Sequence, residues 1–441
     1  MDLPCTLVAY EHVDHACSCA LLLPFSSAEQ HNRLLVTASL RGRVTVYVHT
    51  PTAASDRVTP VFQQSGFGAV TVLAAGDLFN DREPLRNGGH AVVTAIASNG
   101  MLHSFFVHPS TGHTQPCFQQ RIIANVCAAF VADVHNDGRR QLFVSLSDRV
   151  LRSYRFVSST ARTSAGAVSG PVLMPQAKWE TPEQITAVAH STSAAYSTIL
   201  LSQISPHFVR LRWFRERESD STQSKNVTDE KTGVGSTRSR GGTPSSPPVD
   251  EPAIAVEQLT NEFRSQFSVA DDDSCAFLPC DCRSVRLYMN LATRLFVHEP
   301  GYPYVQLELP LEQHYGVAFA CPLVVRDHGR LLLVSNLTGH ALLYWLPRSL
   351  KQQQSASHVV RQRPIAPVAR FHLAPNLVAC EASLDAIARC VTVLVATADV
   401  NLLLFDVDIS RILTGGCSAP VAAANSVADA DATATALSVH V

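Results

Sequence analysis

The stretch that decides the fold is residues 126–154, VCAAFVADVHNDGRRQLFVSLSDRVLRSY. An apolar run at 126–132 is followed by the loop Asp133–Gly138, which is rich in Asp, Asn and Gly. A second apolar run at 141–145 then leads through a turn to a third run that ends at Tyr154. Short apolar runs separated by such turn residues are typical of consecutive antiparallel β-strands. The stretch therefore predicts strands joined by tight turns.

The same outline returns along most of the chain, and each copy closes on an aromatic residue. These closing residues are Tyr47, Phe106, Tyr154, Trp213, Tyr288, Tyr344 and Phe405. A repeating unit of about 50–60 residues with several short strands is typical of one four-stranded propeller blade. Packing such sheets around an axis buries both faces of each sheet, and closing the ring protects the edges. We therefore predict an all-β protein, a β-propeller of FG-GAP/WD-like blades, with seven blades as the best fit.

The predicted organisation places blades 1–4 in residues 1–215 and blades 5–7 in residues 257–414. Residues 216–256 between them are rich in Ser, Thr, Gly, Pro and charged residues. Such a composition buries too little apolar surface to offset chain entropy, so we expect a disordered linker between the fourth and fifth blades. Residues 415–441 have no sustained pattern and are expected to form a flexible tail.

The composition and the start of the chain indicate which kinds of partner and which cellular compartment to expect. Charged residues make up 16% of the chain, against about 25% in ordinary soluble domains, and the net charge of -2 argues against nucleic acid as a partner. The start Met1-Asp2-Leu3-Pro4 does not resemble a signal peptide, and no run of about 18 apolar residues occurs. These features predict a cytoplasmic protein without direct membrane insertion, whose 12 cysteines remain free thiols.

A family resemblance lies in residues 121–156, which include the Asp133–Gly138 loop, and continues in Lys178-Trp179 and Glu183-Gln184-Ile185. This part of the chain resembles the family of integrin-alpha FG-GAP repeat-containing protein 2. The resemblance implies a propeller subunit of the KICSTOR complex, with a kaptin-like propeller protein and a very large scaffold subunit as partners. It also implies that the assembly places a GATOR complex at the lysosomal surface and restrains mTOR complex 1 when nutrients are scarce.

The Asp133–Gly138 loop is the sharpest candidate for a metal site. Calcium takes about six to eight oxygen ligands, which calcium loops supply at alternate positions and near the ninth residue. Here His135 and Gln141 stand at the third and ninth positions, so only Asp133 and Asp137 offer carboxylates. We predict an Asx-type turn, in which Asp accepts backbone N–H groups and Gly138 takes a positive φ. The alternative is a vestigial calcium loop held by Asp133 and Asp137.

Other chemistry-bearing residues do not form a recognisable catalytic or cofactor site. Cys275, Cys280 and Cys282 lack the second ligand pair that a zinc site needs, so we predict ordinary thiols. Nucleophile-elbow, phosphate-loop and zinc-protease motifs are absent from the sequence, which predicts neither an enzyme nor a cofactor. In the linker, Thr243 and Ser246 precede prolines and are possible phosphorylation sites; the alternative is an unmodified spacer.

Three functions are compatible with a propeller of this kind. The first is a protein-interaction subunit of a nutrient-signalling scaffold, which the resemblance favours. The second is an extracellular, integrin-like propeller that binds ligand through calcium, and the incomplete acidic loops argue against it. The third is a hydrolase in the central channel, for which no group of polar residues in the sequence gives support. We therefore predict an interaction subunit.

Overall fold

The structure is a computed structural model. It describes residues 5–13, 17–23, 32–50, 58–79, 91–157, 162–163, 166–167, 171–192, 196–203, 207–214, 253–258, 275–281, 286–291, 294–298, 305–309, 317–325, 329–346, 364–385 and 389–414. Its strands form four-stranded antiparallel sheets, each of which is one blade of a β-propeller.

The first three blades use the first half of the described chain. Blade 1 consists of β2 Cys17–Leu23, β3 Arg33–Ser39, β4 Arg43–His49 and β5 Thr59–Ser65. Blade 2 consists of β6 Val70–Ala75, β7 Ala91–Ala97, β8 Met101–Val107 and β9 Thr114–Arg121. Blade 3 consists of β10 Val126–Ala132, β11 Gln141–Leu146, β12 Val150–Val157 and β15 Val172–Glu180. A small hairpin, β13 Arg162–Thr163 and β14 Gly166–Ala167, lies between β12 and β15.

The remaining blades complete the ring. Blade 4 consists of β16 Ile185–Thr192, β17 Tyr196–Gln203, β18 His207–Phe214 and β19 Ala253–Gln258. Blade 5 consists of β20 Cys275–Asp281, β21 Arg286–Leu291, β22 Arg294–His298 and β23 Val305–Leu307. Blade 6 consists of β24 Phe319–Val325, β25 Gly329–Ser335, β26 His340–Leu346 and β27 Ala369–His372. Blade 7 consists of β28 Leu377–Asp385, β29 Cys390–Thr397, β30 Asn401–Asp408 and, from the start of the chain, β1 Cys5–His12.

The pattern of each strand follows from its place in the blade. The second strand lies between two neighbours in its own sheet and between two adjacent blades, so β3, β11 and β29 are buried along their whole length. This is why their sequences are mostly apolar rather than alternating between apolar and polar residues. The outer strand β5 has one sheet neighbour and is exposed or half-buried throughout.

The hydrophobic core is divided into clusters that lie between neighbouring blades. Leu34, Val36 and Val46 of blade 1, for example, share one cluster with Val93 and Phe105 of blade 2. Comparable clusters join blades 2 and 3, blades 3 and 4, blades 6 and 7, and blades 7 and 1. The core is therefore a ring of interfaces, and each blade is stabilised by the next.

The ring is closed by the first strand of the chain. β1 pairs antiparallel with β30, from Cys5 opposite Val407 to His12 opposite Asn401. The innermost strands of neighbouring blades contact one another, and β28 of blade 7 contacts β2 of blade 1. Blade 7 thus combines residues from both ends of the described chain, so that folding of the ring depends on contacts remote in sequence.

The outer strands of blades 1 to 3 share an irregularity that protects their edges. Each has a proline followed by one residue that is skipped in the pairing with the third strand; the prolines are Pro60, Pro116 and Pro175. Proline lacks a backbone N–H, and a bulge bends the strand, so both features discourage a further strand from adding to the sheet.

The structure confirms the prediction of a β-propeller, and its described strands form seven four-stranded sheets. Most of the aromatic residues that close the repeats lie on the third strand of a blade. Tyr288 differs, because it lies on β21, the second strand of blade 5, where it pairs with Val297 of β22. The repeat is weaker in this part of the chain, so the sequence pattern assigned Tyr288 to a third strand although it lies on the second.

The position of the linker also differs from the prediction. Residues 253–256, which we assigned to the linker, belong to β19, the outer strand of blade 4. The segment therefore interrupts blade 4 between its third and fourth strands rather than joining blades 4 and 5, because β19 pairs with β18 through backbone hydrogen bonds. Residues 215–252 and 415–441 lie outside the described residues, so the predictions of disorder and of a flexible tail concern residues the structure does not describe.

One short helix, α1 Ser410–Thr414, follows the last strand. Within the described ranges, no helix has the length and apolar character needed to cross a membrane.

Candidate functional site

The Asp133–Gly138 loop connects the innermost strand of blade 3 to the second strand. The two carboxylate oxygens of Asp133 accept hydrogen bonds from the backbone N–H groups of Asp137, at 3.2 Å, and Gly138, at 2.9 Å. Asn136 and Gly138 have φ values of 53° and 78°, which turns the chain back toward β11. The Asp133 side chain therefore caps a turn in which its oxygens take the place of backbone acceptors, as predicted, although the donors lie four and five residues on rather than two.

The second carboxylate of the loop is also engaged. Asp137 accepts the N–H of Arg139 at 2.8 Å with one oxygen and forms an ion pair with the Arg155 guanidinium at 3.1 Å with the other. A calcium ion needs about six to eight oxygen ligands. The carboxylate oxygens of Asp133 and Asp137 already accept hydrogen bonds or an ion pair, and a calcium ion would have to displace these partners. Across the described ranges, no group of three or more His, Cys, Asp or Glu side chains is placed to hold a metal.

The related loop of blade 2 has a packing role in the structure. Asp77 accepts the backbone N–H of Phe79 at 2.9 Å, which forms a short Asx turn. The turn directs the Phe79 ring between blades 2 and 3, where its centroid lies 4.7 Å from that of Phe156 and 5.4 Å from that of Phe106. Asp77 therefore positions an aromatic anchor between the two blades.

A second aromatic cluster joins blades 3 and 4. Trp179, one of the residues that carried the family resemblance, lies 5.7 Å from Trp213 in an edge-to-face contact. Phe130 stacks on His190 at 5.0 Å, and burial lowers the pKa of His190, so its imidazole is neutral at pH 7. These residues have a structural role in holding the two blades together.

A cavity of about 200 Å³ lies where blade 7 meets blade 1. It was not predicted from the sequence, because Glu11 and His12 of β1 reach it only through closure of the ring. Blade 1 supplies the buried hydroxyls of Thr37 and Thr45 and the phenol of Tyr47. Burial raises the pKa of Tyr47 to about 12, so the cavity offers neutral hydroxyl groups at physiological pH.

Three of the described thiols are held in the protonated form. Burial raises the pKa of Cys5 to about 11 and that of Cys19 and Cys117 to about 12. A thiol reacts as the thiolate, so these side chains are inert near neutral pH. Of the three cysteines weighed as zinc ligands, Cys275 and Cys280 lie on β20, whose side chains are outside the described part, and Cys282 is outside it entirely.

Large apolar side chains reach the surface at several points of the ring. Leu40 is 63% exposed and Leu337 is 51% exposed, and they occupy the second position of the same turn, between the second and third strands, in blades 1 and 6. Leu7 and Tyr10 of β1 and Phe214 at the end of β18 are exposed as well. Sequence patterns did not single out these residues, because an apolar residue in a turn resembles one in a strand.

The predicted phosphorylation sites Thr243 and Ser246 lie outside the described residues.

A family model described as integrin-alpha FG-GAP repeat-containing protein 2 matches residues 54–278 of the chain. The chain belongs to this family. The match begins before the outer strand of blade 1, covers the described strands of blades 2, 3 and 4 and ends within β20. The membership of the FG-GAP repeat-containing protein 2 family confirms the resemblance found in residues 121–156 and its continuation to Ile185.

Two curated relatives from mammals match a shorter region. The protein named KICSTOR complex protein ITFG2 from Mus musculus is 28% identical over 134 residues, which cover 28% of this chain and 27% of the relative. The protein of the same name from Bos taurus is 28% identical over 135 residues, which cover 28% of this chain and 23% of the relative. The match therefore spans about a quarter of the length of these relatives.

A solved structure supports the architecture over nearly the whole chain. It is the crystal structure of BBS1N in complex with ARL6DN, which matches with a TM-score of 0.51 at 10% identity. The superposition covers 92% of this chain and 97% of the matched one. At this level of identity the likeness concerns the propeller fold alone.

Proposed function

We propose that this chain is a non-catalytic β-propeller interaction subunit of a KICSTOR-like complex. The observation that carries the proposal is the match to curated relatives that are named as a KICSTOR complex protein. The match to the family model over blades 2 to 4 supports it further. The architecture is well suited to this role, because turns and outer strands on a rigid ring present separate surfaces to several partners.

The proposed partners are a kaptin-like propeller protein and a large scaffold subunit, with a GATOR complex bound indirectly. In this proposal the assembly acts at the lysosomal surface, where the chain is peripheral and cytoplasmic, and it restrains mTOR complex 1 in response to nutrients. The support for these partners is the family resemblance. The net charge of -2 gives no electrostatic reason to bind nucleic acid or an anionic membrane.

The described chemistry favours partner binding over covalent catalysis. The thiols Cys5, Cys19 and Cys117 are held protonated by burial. The carboxylates of Asp133 and Asp137 are engaged by backbone amides and by Arg155. A cysteine nucleophile needs the thiolate form, and these three thiols are not ionised near neutral pH.

The first test is affinity purification of the tagged protein from cells, with mass spectrometry of the proteins that accompany it. Recovery of a kaptin-like propeller and a very large scaffold protein in stoichiometric amounts is the expected result. Recovery of the intact protein without any stable partner would contradict the proposal. Microscopy of the tagged protein in starved cells is expected to show overlap with a lysosomal marker.

Variants at the exposed turns connect this test to the structure. Apolar side chains at the centre of an interface often carry much of the binding energy, so Leu40→Asp and Leu337→Asp are the first substitutions to make. The matched control is Thr111→Asp, in an exposed turn of blade 2 whose wild-type residue is polar. If these turns contact a partner, either leucine variant lowers partner recovery at unchanged melting temperature and the control does not.

The two site predictions have their own tests. We infer that the Asp133–Gly138 loop is a turn, so calorimetric titration with Ca²⁺ should give no heat of binding; saturable binding lost in Asp133→Asn would favour the calcium loop instead.

Phosphorylation of Thr243 and Ser246 remains a prediction. Phosphopeptide mapping from fed and starved cells tests it, and absence of phosphate at both residues in both conditions would remove it.

A further inference from the structure

Two histidines face each other across neighbouring strands of blade 6. His340 is the first residue of β26 and His372 is the last residue of β27, and the two are direct partners in the antiparallel register. Both residues are exposed, and their ring centroids are 5.0 Å apart with the planes at 86°. The backbone holds this pair, because the register of the sheet fixes the separation of the two residues.

The equivalent pair in other blades is not a pair of imidazoles. The first residue of the third strand and its partner on the outer strand are Arg43 and Ser65 in blade 1, Met101 and Arg121 in blade 2, Val150 and Glu180 in blade 3, and Asn401 and His12 in blade 7. The residues at this position thus differ from blade to blade, and the pair in blade 3 includes the buried Val150. Among these described pairs, blade 6 alone places two nitrogen ligands for a transition metal opposite each other.

The separation of the rings matches a shared metal ion. At a Zn–N distance of about 2.0–2.1 Å, two imidazoles that meet at a tetrahedral angle have centroids roughly 5 Å apart. The observed distance is 5.0 Å. The χ2 torsion of histidine has a broad energy minimum, so each ring can turn a nitrogen toward one point without movement of the backbone.

The surroundings of His372 favour a metal-binding form of its ring. Its imidazole hydrogen-bonds to the backbone of Thr338. When a backbone carbonyl accepts one ring N–H, the other nitrogen keeps its lone pair, which is the usual arrangement around a metal-ligating histidine.

We propose that His340 and His372 form a binding site for a divalent late transition metal ion on the surface of blade 6. Two imidazoles suit Zn²⁺, Ni²⁺ or Cu²⁺ rather than Ca²⁺ or Mg²⁺, which take oxygen ligands. Water molecules or a side chain of a bound protein complete the coordination, as in sites that keep open positions. The proposal is independent of the function proposed above.

Nickel titration of the full-length, tag-free protein tests the site. Isothermal calorimetry with Ni²⁺ limits competition from the cysteines, because thiolates select softer ions such as Zn²⁺ and Cu⁺. Wild type is compared with His340→Gln and His372→Gln. The matched control is His12→Gln, which changes a histidine at the equivalent position of blade 7, where the ring contacts Asn401.

The expected result is one Ni²⁺ bound per chain, with affinity reduced at least about tenfold in His340→Gln and in His372→Gln, since even the loss of a residue that only supports a ligand costs this much. His12→Gln should bind as wild type does. Equal affinity in all four proteins, or absence of stoichiometric binding to wild type, would overturn the proposal.

A spectroscopic measurement on the wild type keeps the proposal testable if a variant fails to fold. With less than one equivalent of Cu²⁺, electron paramagnetic resonance should show hyperfine coupling to two imidazole nitrogens. Coupling to one nitrogen, or a spectrum typical of oxygen ligands alone, would count against a shared ion between the two rings.

Discussion

At the scale of single residues, buried polar groups decide how the blades are joined. Tyr344 is fully buried in blade 6, and its hydroxyl donates a 2.6 Å hydrogen bond to the backbone carbonyl of Glu308, which directly follows the outer strand of blade 5. Burial raises the pKa of Tyr344, so the phenol remains a donor throughout the physiological range. The bond is part-buried, so its net contribution to stability is that of an ordinary hydrogen bond, about 1 kcal/mol.

Replacing Tyr344 by Phe therefore tests this connection. We expect Tyr344→Phe to lower the free energy of unfolding by about 1 kcal/mol, because the hydrogen bond to the Glu308 carbonyl is lost. Urea denaturation followed by circular dichroism measures the change. The exposed Tyr10 provides the control, and Tyr10→Phe should leave the transition unchanged. An equal effect of the two substitutions would contradict a specific role for the Tyr344 hydroxyl.

Glu381 predicts a dependence of stability on pH. This residue lies on the innermost strand of blade 7, and burial raises its pKa to about 7. The unfolded chain ionises it near pH 4.5, so ionisation favours the unfolded state as pH rises from about 4.5 to about 7. The contribution of the neutral Glu381 carboxyl to stability is fully present below about pH 4.5 and is lost as the pH rises through about 7.

Glu381→Gln should remove this contribution. At pH 8 the variant is expected to be more stable than wild type by on the order of 2 kcal/mol, and near pH 4 the two should be alike. Thermal unfolding across this range is the measurement. As a control, Glu180 is exposed beside Lys178, whose hydrogen bond and charge lower its pKa, so Glu180→Gln should bring no gain at pH 8. A flat difference between Glu381→Gln and wild type across pH would refute the assignment.

At the scale of elements, one turn is repeated around the ring. The residue before the third strand has a positive φ in five blades; these residues are Gly42, Gly100, Arg149, Gly339 and Val400. Its carbonyl accepts a hydrogen bond from a residue one or two positions after the outer strand, for example Ile122 on Gly100 at 2.8 Å. The turn thus holds the start of the third strand against the segment that leaves the outer strand. This explains why the positive φ is kept at Arg149 and Val400, where the residue is not glycine.

Gly100→Ala is expected to destabilise the protein by more than the cost of a left-handed alanine. A Cβ at this position would lie 2.5 Å from the carbonyl oxygen of Ile122, so the backbone of the turn must move. Gly138 provides the matched control, because it has a similar φ and nothing within 4 Å of its Cβ. We expect Gly138→Ala to cost about 1 kcal/mol and Gly100→Ala at least about 2 kcal/mol. Equal melting temperatures for the two variants would show that the turn adapts freely.

At the scale of the whole molecule, stability depends on closure between blades 7 and 1. Arg33, the first residue of β3, is 5% exposed and pairs with Asp406 of β30 at 2.7 Å. The other oxygen of Asp406 accepts the Thr392 hydroxyl at 2.9 Å. One terminal nitrogen of Arg33, Nη1, is buried without a hydrogen-bond partner among the described residues. An ion pair in such a place is costly to break singly, because the remaining charge stays buried.

The predicted outcome is that Asp406→Asn lowers stability by about 1–3 kcal/mol, a range reduced to allow for the partial exposure of Asp406. The double substitution Arg33→Met with Asp406→Leu should cost less than Asp406→Asn alone, since no buried charge is left unpaired. Lys178→Ala, which breaks an exposed ion pair with Glu180, should leave the unfolding transition within error of wild type. A double variant less stable than the single one would contradict this account of the closure.

The candidate sites show how far sequence patterns reach. The Asp133–Gly138 turn could be predicted, because side-chain caps and positive φ values depend on residues a few positions apart. The pair His340 and His372 could not, because 32 residues separate them and only the register of β26 and β27 brings them together. The cavity beside Glu11 was likewise out of reach, since its walls come from both sides of the closure.

The sequence by itself determined the repeating unit, the all-β class, the tight turns and the family of this protein. These depend on local patterns, such as mostly apolar runs in the second strands and glycines before the third. Tertiary structure decided which strand completes each blade: β1 joins β30, and β19 returns to β18 across residues 215–252. Any outer strand has the same exposed pattern, and its partner is selected by backbone hydrogen bonds and packing between residues far apart in the chain.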